Sequence, residues 1–337
     1  MTRYVGVDLH RRRSVIVVLE GDGTKLWTTR IDNSPVALGL EIEKAGPAPE
    51  VVLEATWGWY WAADVIAEAG GGVHLAHPLG IAGYENRRVK NDQEDARLLA
   101  DLLRMGRLPE AWIPPASIRY QRELVRYRRK LSQLRAGLKA QVHAVLGKEG
   151  LVPPLNHLWG PGGARWLDET DMADAFETRV RSLRRLIKLY DTELVKLDAR
   201  IAAEFKGHPG YEAIQTISGV GPVFGAVFTA ELGDVGRFHS AKHVCSWAGL
   251  TPRHRESDTK IQRGSITKQG PPLVRWAAIE AVSKNHGDDP VKDLYRRVAE
   301  RRGRNKGRVA AARKVLTLVY YGLRDYEIRS LAPPEAA

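Results

Sequence analysis

Cysteine is almost absent from this chain. Its 337 residues include one cysteine, Cys245, in the apolar stretch HVCSWAGL. A single cysteine excludes an intramolecular disulfide and a metal site built from cysteines. Long apolar runs are absent too, since no stretch approaches the roughly 20 residues that a membrane-spanning helix needs. The first residues have the pattern of a strand rather than of a signal peptide, so we expect a protein of a reducing cytoplasm.

Acidic residues are the minority among the charged ones. Lysine and arginine total 52 against 40 aspartate and glutamate residues, which gives a formal net charge of +12 and a pI near 9.8. Such an excess suits a polyanionic partner and affects association and salt dependence rather than fold. The length predicts two or three structural units instead of one core.

Four carboxylates stand out against this basic background. Asp8 in YVGVDLH and Glu54 in VVLEATWGWYW lie in apolar runs typical of buried strands, where an isolated carboxylate is costly to desolvate. Asp92 and Asp95 lie three apart at the start of a helical pattern, so they share one face. Carboxylates from two strands and a helix provide the oxygen ligands that Mg²⁺ or Mn²⁺ prefers. Together they predict a divalent-metal site for phosphodiester chemistry.

Each of these carboxylates also has a plain structural interpretation. Asp8 fits a turn at the end of a strand, and Glu54 fits an ion pair with one of the many arginines. Asp92 and Asp95 fit a charge pair stabilised by the helix macrodipole. We favour the metal site because the order along the chain, an early strand, a later strand and then a helix, joins all four. Two ions about 4 Å apart would activate an attacking oxygen and stabilise the leaving one.

Strand and helix patterns divide the chain into three parts and a tail. Residues 1–115 alternate strand and helix signals in an order that fits a mixed RNase H-like sheet. Residues 116–206 contain two long helices with heptad-like leucines, which favour an antiparallel coiled-coil connector or a dimerisation element. Residues 207–325 are predicted to form a mostly helical domain, and residues 326–337 a frayed tail. The predicted fold class is α/β followed by α.

The first long helix of the middle part is strongly basic. Residues 119–148 include nine basic residues and one acid, Glu123. Such a face is often only solvated, but the imbalance is large for the exterior of a coiled coil. We predict that it grips nucleic-acid backbone, RNA in preference to DNA, through Arg122, Arg126 and Arg129.

The segment IQTISGVGPVFGAVFTAEL places Gly219 and Gly221 between two helical runs. This pattern resembles a helix-hairpin-helix, whose glycine turn exposes backbone N–H groups to phosphate. The alternative is an ordinary turn between two core helices. We favour phosphate binding because the two glycines occur in a hairpin context.

A cationic loop that ends in the helix PLVRWAAIEAV is predicted between Arg253 and Arg275. Its basic residues are Arg253, Arg255, Lys260, Arg263, Lys268 and Arg275. Such a loop either clamps a phosphate or presents a nucleophilic hydroxyl to one, and a solvated surface loop is the alternative. Its hydroxyl candidates are Ser257, Thr259, Ser265 and Thr267. Their chemistry alone does not choose among them.

These motifs resemble the insertion-sequence transposases of the IS110 type, DEDD recombinases guided by a bridge RNA. The matching stretches include GVDLH, LEATWGWYW and VKNDQEDARLLADLL, and then ISGVGPVFGAVFTAELGDVGRFHSAKHVCSWAGLTPR and SDTKIQRGSITKQGPPLVRW. The resemblance covers nearly the whole chain in the same order. It implies a RuvC-like (RNase H-fold) domain whose four acids form the catalytic metal site, and a C-terminal transposase domain with a catalytic serine.

The position that matches this serine is Ser257. Asp258 stands where relatives usually carry glycine, and Ser265 is the alternative serine. In this family the serine attacks a DNA phosphodiester and forms a covalent phosphoserine intermediate. The resemblance also implies donor and target DNA, a structured bridge RNA, dimers with a tetrameric synaptic complex, and a location at the nucleoid.

Two other function classes stay open on the residues alone. One is a metal-dependent nuclease of the junction-resolvase type, in which the acids cleave with water and the serine is incidental. The other is a nucleic-acid-binding protein whose acids are structural. No organic cofactor site is predicted, and Mg²⁺ (or Mn²⁺) is the expected cofactor.

Overall fold

The computed structural model describes residues 2–84, 91–258 and 260–331. The chain forms two compact units, residues 1–113 and residues 114–337. The first boundary lies two residues before the predicted one at residue 115. Residues 114–337 group as one unit. The further boundary predicted after residue 206 stays a prediction.

A five-stranded sheet forms the centre of the first unit. Its strands are β1 (Tyr4–Leu9), β2 (Arg13–Leu19), β3 (Lys25–Asp32), β4 (Glu50–Glu54) and β5 (Gly72–Ala76). Their order is β3-β2-β1-β4-β5, with β3, β2 and β1 antiparallel and β1, β4 and β5 parallel. The predicted mixed α/β class is confirmed for this unit.

Helices cover both faces of this sheet. They are α1 (Pro35–Lys44), α2 (Trp59–Glu68), the short α3 (Pro78–Ile81) and α4 (Asp92–Arg104). Alternate strand residues such as Val5, Val7 and Leu53 pack with α1 and α2 on one face. Residues of the opposite parity, such as Val17 and Val52, pack with α4 on the other face.

Gly6 allows α4 to lie directly on β1. A Cβ atom at this position would lie 1.8 Å from the carbonyl oxygen of Ala96 and 3.0 Å from the backbone nitrogen of Ala100. Both atoms belong to the helix backbone, so no side chain can move away to make room. The glycine in GVDLH therefore determines how closely α4 approaches the strand that carries Asp8.

We expect Gly6→Ala to destabilise the first unit by about 1–3 kcal/mol, because the added methyl group forces α4 away from β1. Gly39→Ala in α1 is the matched control. Its new Cβ would meet nothing closer than 3.8 Å, and alanine is the better helix former by about 1 kcal/mol. Urea unfolding of both variants measures the difference. Equal stabilities for Gly6→Ala and the parent would contradict the close approach of α4.

Two long antiparallel helices begin the second unit. They are α5 (Ala116–Lys148) and α7 (Asp174–Glu204), and the shorter α6 (Pro161–Glu169) lies between them in sequence. Arg128 binds Asp198 and Arg135 binds Asp191, a pairing that runs in opposite directions along the two helices. The buried positions of α7 repeat at spacings of three, four and seven, and they are Val180, Leu183, Ile187, Leu194 and Ile201. The leucines at 186 and 189 are exposed instead.

The remainder of the second unit is mostly helical, as predicted. Its helices are α8 (Pro209–Ile214), α9 (Pro222–Leu232), α10 (Ala241–Trp247), α11 (Pro272–Lys284), α12 (Pro290–Arg302) and α13 (Arg304–Asp325). Short 3-10 turns cover residues 235–237 and 329–331. The core gathers around α13, whose buried residues include Ala312, Val315 and Val319. Among the described residues, no helix has the length and apolar character needed to cross a bilayer.

The predicted helix PLVRWAAIEAV is present, but the prediction that the segment before it is a loop throughout is wrong. The strands β6 (Pro252–Ser257) and β7 (Lys260–Ile266) pair as an antiparallel hairpin, and α11 begins at residue 272. The sequence PRHRES lacks the alternation of apolar and polar residues that signals a half-buried strand, because the described residues of β6 are exposed or only partly buried. Backbone pairing, rather than burial, therefore defines this hairpin.

Candidate active site

Asp8 and Glu54 lie on adjacent parallel strands at the same edge of the sheet. Val7 of β1 is level with Leu53 of β4, and the two carboxylates are the next residues along. Val7 and Leu53 point to the face covered by α1 and α2. Because side chains alternate along a strand, Asp8 and Glu54 point to the face covered by α4. Both residues are partly buried.

The first turn of α4 supplies the remaining acids. Asn91 caps the helix, and its side chain accepts a hydrogen bond from the backbone N–H of Gln93 at 3.1 Å. Asp92 and Asp95 follow at the N-terminus, where the helix dipole favours negative charge. Asp92 lies one turn before Ala96, the residue that contacts Gly6. The Gly6 contact therefore sets the position of Asp92 beside the end of β1.

His10 joins this cluster, although the sequence analysis did not select it. Its Nε2 atom lies 3.2 Å from Oδ2 of Asp8 and 3.6 Å from Oδ1 of Asp92. The signal was available in GVDLH, because residues two apart in an extended segment point to the same side. His10 is about half exposed at 48 %, so the cluster is open to solvent on this side.

The cluster suits a divalent cation. One ligand atom from each of Asp8, His10 and Asp92 lies within 4.8 Å of the others. Among the described residues, Glu54 and Asp95 are not part of this grouping. Carboxylate oxygens suit Mg²⁺ and Mn²⁺, and an imidazole is compatible with Mn²⁺. Glu54 and Asp95 stay predicted ligands, with Glu54 on the correct face of the sheet.

Ser257 is the last residue of β6, at the tip of the hairpin. It pairs with Lys260 across a two-residue turn, and its side chain is exposed. Asp258 has φ +51, in the left-handed region that favours glycine. Aspartate is one of the residues that adopts this conformation in tight hairpin turns. The replacement of glycine at this position is therefore compatible with a hairpin.

Part of this hairpin lies beyond what the structure describes. Thr259 is outside the described residues, as are the side chains of Arg255, Lys260 and Arg263. Arg253 and Lys268 are exposed, and Lys268 has φ +56.

The base of the hairpin is tied to the domain through backbone contacts. Thr267 donates its N–H to the carbonyl of Thr251 at 2.9 Å, and Lys268 donates to the carbonyl of Gly249 at 3.0 Å. The Nη1 atom of Arg275 donates to the carbonyls of residues 248, 269 and 270. Partial burial lowers the pKa of the Arg275 guanidinium. Arg275 thus holds the hairpin base in place, and its predicted contact with nucleic acid is untested.

Gly219 and Gly221 lie in the turn between α8 and α9. Gly219 has φ +89, and a Cβ atom there would lie 2.1 Å from the carbonyl oxygen of Ala281 in α11. Core packing therefore explains Gly219. Gly221 precedes the N-terminus of α9, and a Cβ atom there would meet nothing within 4 Å. An open hollow of about 500 Å³ includes this turn and Lys284. Phosphate binding at Gly219 and Gly221 stays a prediction.

The three arginines predicted to grip nucleic acid from α5 make contacts within the chain. Arg122 donates to the carbonyls of Ala230 and Glu231, at 3.0 and 2.8 Å. Arg126 binds both carboxylate oxygens of Glu231, at 2.7 and 2.9 Å. Arg129 stacks on the ring of Trp276, 3.7 Å from its centroid. These contacts attach α5 to the C-terminal helices. The predicted contact of these arginines with nucleic acid stays a prediction.

We expect Arg126→Met to destabilise the second unit by about 2–3 kcal/mol, because it leaves the carboxylate of Glu231, whose side chain is only 3 % exposed, without its bidentate partner. Arg181→Met is the matched control. Arg181 pairs with Glu177 on the exposed face of α7, and such pairs contribute about 0–1 kcal/mol. Urea unfolding measures both effects, and equal losses would argue against a structural role for Arg126.

A basic turn between α12 and α13 was not predicted from the sequence. The exposed cations there are Arg301, Arg302, Arg304, Lys306 and Arg308. Within the described part of the chain, none of them has a carboxylate within 4.0 Å. Unpaired cations on a surface turn are suited to a phosphate backbone.

Comparison with known proteins adds two family matches. Residues 5–149 match the model of a DEDD transposase of the IS110 type, and residues 211–296 match the model of the transposase IS116/IS110/IS902 family. The first match includes the four acids, and the second includes the turn at Gly219 and the β6–β7 hairpin.

Three relatives align with most of this chain. The chain is 24% identical to the transposase for insertion sequence element IS1111A of Coxiella burnetii, over 94% of this chain and 88% of that protein. It is 23% identical to the insertion element IS116 uncharacterized 44.8 kDa protein of Streptomyces clavuligerus, over 98% and 97%. It is 28% identical to the pilin gene-inverting protein of Moraxella lacunata, over 75% and 73%.

Proposed function

Because the chain belongs to the IS116/IS110/IS902 family of transposases, we propose that it cuts and rejoins donor and target DNA through a covalent serine–phosphate intermediate. The reaction uses Ser257 as the nucleophile and a divalent cation held by acids of the first unit. The observation that supports this best is the grouping of Asp8 with Asp92, with Glu54 on the strand next to Asp8. They come from two adjacent parallel strands and from the helix packed on the same face.

Asp8, Glu54, Asp92 and Asp95 would hold Mg²⁺ or Mn²⁺, with His10 beside Asp8 and Asp92. The ion, when bound, supplies Lewis acidity toward the scissile phosphate. Asp8 is the most buried of Asp8, His10 and Asp92, with a side chain 15 % exposed, so β1 fixes its position. Asp92 is 42 % exposed and lies on the open side, where a DNA backbone can approach.

Ser257 would provide the attacking oxygen. The bond from Oγ to phosphorus forms while the bond from phosphorus to a deoxyribose oxygen breaks. The serine hydroxyl loses one proton, and the leaving oxygen gains one. Attack by the new hydroxyl of another strand reverses these changes and rejoins the DNA, so the bond energy is kept in the phosphoserine. The exposed hairpin tip leaves the hydroxyl accessible to a phosphate.

Sequence selection in this proposal belongs to a structured bridge RNA that pairs with donor and target DNA. The protein would then read shape and charge while base pairing reads sequence. Catalysis would take place in a dimer or in a tetrameric synaptic complex. The net charge of +12 supports binding of both nucleic acids but does not distinguish them.

One assay separates this function from the two alternatives. The protein is incubated with RNA that copurifies with it, with DNA and with Mg²⁺, and is then denatured. DNA attached covalently to protein supports the recombinase. Free nicked ends without an adduct support a hydrolytic nuclease, and intact DNA supports a binding protein. Omitting the RNA tests whether the reaction depends on a guide.

We expect the triple variant Arg302→Gln, Arg304→Gln, Lys306→Gln to bind duplex DNA more weakly. The slope of log K against log salt should become shallower by about 2.7, since each lost phosphate contact contributes about 0.9. A matched variant replaces Arg13, Arg181 and Lys196, which pair with acids, and removes the same charge. Fluorescence anisotropy across a salt series measures both slopes. Equal slopes in the two variants would mean that the basic turn contributes only to net charge.

A further inference from the structure

A hollow of about 370 Å³ lies between α5, α6 and α7, toward the end of the helix pair where α5 ends and α7 begins. Its apolar lining comes from Leu158, Trp159, Ala164, Leu167 and Ile187. Apart from Lys139, these walls come from residues 158–191, which neither family match covers. The hollow is therefore distinct from the acidic cluster and from the hairpin.

The rim of this hollow is basic. It includes Lys139, Arg181, Arg184, Arg185 and Lys188, against the single acid Asp191. Arg184 binds Asp168 at 2.5 Å, and Arg181 pairs with Glu177. In the described chain, no carboxylate lies within 4.0 Å of Arg185 or Lys188, and both are exposed. These two cations are thus available to an anion from solvent.

Lys139 brings a third cation to the wall of the hollow. Its Nζ atom lies 4.9 Å from the centroid of the Trp159 ring, which holds the ammonium at the indole face. Partial burial lowers the pKa of this ammonium, and the nearby Arg135 adds to the effect. A bound anion would relieve both costs. An apolar floor below a ring of cations therefore fits a ligand that is partly apolar and strongly anionic.

We propose that this hollow binds an unpaired nucleotide of single-stranded nucleic acid, with the base on the apolar floor and its flanking phosphates on Arg185 and Lys188. A base has a flat apolar surface that can cover the apolar floor. The two phosphates that flank it match the two available cations, Arg185 and Lys188. Free nucleotides share this chemistry, but the open rim lets a strand continue on both sides. A base stacked in a duplex cannot enter, so the site selects single strands.

The inference rests on the proposed function for its biological meaning, but its test does not use the acidic site. Binding of fluorescent oligouridylate, oligothymidylate and duplex DNA is measured with the whole chain in the presence of a chelator. For Arg185→Gln with Lys188→Gln, we expect single strands to bind about tenfold more weakly at physiological salt. The salt slope should fall by about 1.4, the value for two phosphate contacts on a single strand. Duplex binding should stay unchanged.

Two further variants keep the proposal falsifiable. Arg165→Gln with Lys206→Gln removes the same charge from exposed positions that do not line the hollow, and it should leave binding unchanged. Ala164→Phe fills the hollow without changing its charge and should weaken single-strand binding, with thermal melting to confirm folding. Normal binding by Ala164→Phe, or an equal loss in the charge control, would overturn the proposal. Oligouridylate and oligothymidylate distinguish an RNA strand from a DNA strand, and competition by uridine monophosphate alone would indicate a free-nucleotide site instead.

Discussion

Asp8→Asn and Asp92→Asn are expected to lower the rate of strand cleavage and rejoining by about 10³-fold or more, while the fold is kept. Each removes a charged ligand from the proposed metal site, and Lewis-acid assistance contributes several kcal/mol to such reactions. The loss should be nearly complete in either variant, because both residues serve one site. The same is expected for Glu54→Gln and Asp95→Asn. Recombination between two plasmids, read by sequencing of the junctions, measures the effect.

Asp101→Asn provides the matched control for these variants. Asp101 is on α4, but it pairs with Arg104 at 3.1 Å near the other end of the helix. The Asp101→Asn variant loses one carboxylate from the same unit but keeps the acidic cluster intact, so the activity of this variant should be near normal. Without metal, Asp8→Asn should melt at a temperature equal to or above that of the parent, because repulsion between carboxylates is reduced. Near-normal activity in any two of the four variants would contradict a shared metal site.

Much of the first unit could be predicted because its signals are local. The runs YVGVDL and EVVLE are apolar and short, so they indicate buried strands, and the acidic residues at their ends are visible in the sequence. The helical spacing of Asp92 and Asp95 is equally direct. That Asp92 lies beside Asp8 depends instead on Gly6, whose missing side chain admits Ala96. A contact between residues ninety positions apart cannot be read from either segment alone.

The roles of the basic residues could not be predicted from charge. Arg126 and Arg302 have similar sequence surroundings, since each lies in an arginine-rich segment, VRYRRK and AERRGR. Arg126 meets the buried Glu231, which is distant in sequence and lies in an apolar helix. Arg302 meets no acid among the described residues and stays exposed. Only tertiary packing determines which cations pair with acids of the same chain and which stay accessible to a polyanion.

The hairpin also separates the two serine candidates in space. Ser257 is at the tip, opposite Lys260, while Ser265 lies five residues further along β7. At the rise of an extended strand, this places the two residues about 16 Å apart along the hairpin. They cannot both reach the same phosphate from one position of the DNA. The choice between them is therefore a choice between two docking positions, which a single substitution at each serine can test.

Ser257→Ala is expected to bind DNA and RNA normally and to form no covalent adduct, because it lacks the attacking oxygen. Ser265→Ala is the matched control: it removes the same exposed hydroxyl from the partner strand and should keep at least partial activity. Denaturing gels with labelled DNA measure the adduct, and mass mapping of the DNA–peptide product identifies the residue. Ser257→Cys should restore some adduct if the position is nucleophilic, since a thiolate also attacks phosphorus. A phosphodiester mapped to Ser265 would reverse the assignment, and adduct formation by Ser257→Ala would remove Ser257 from the mechanism.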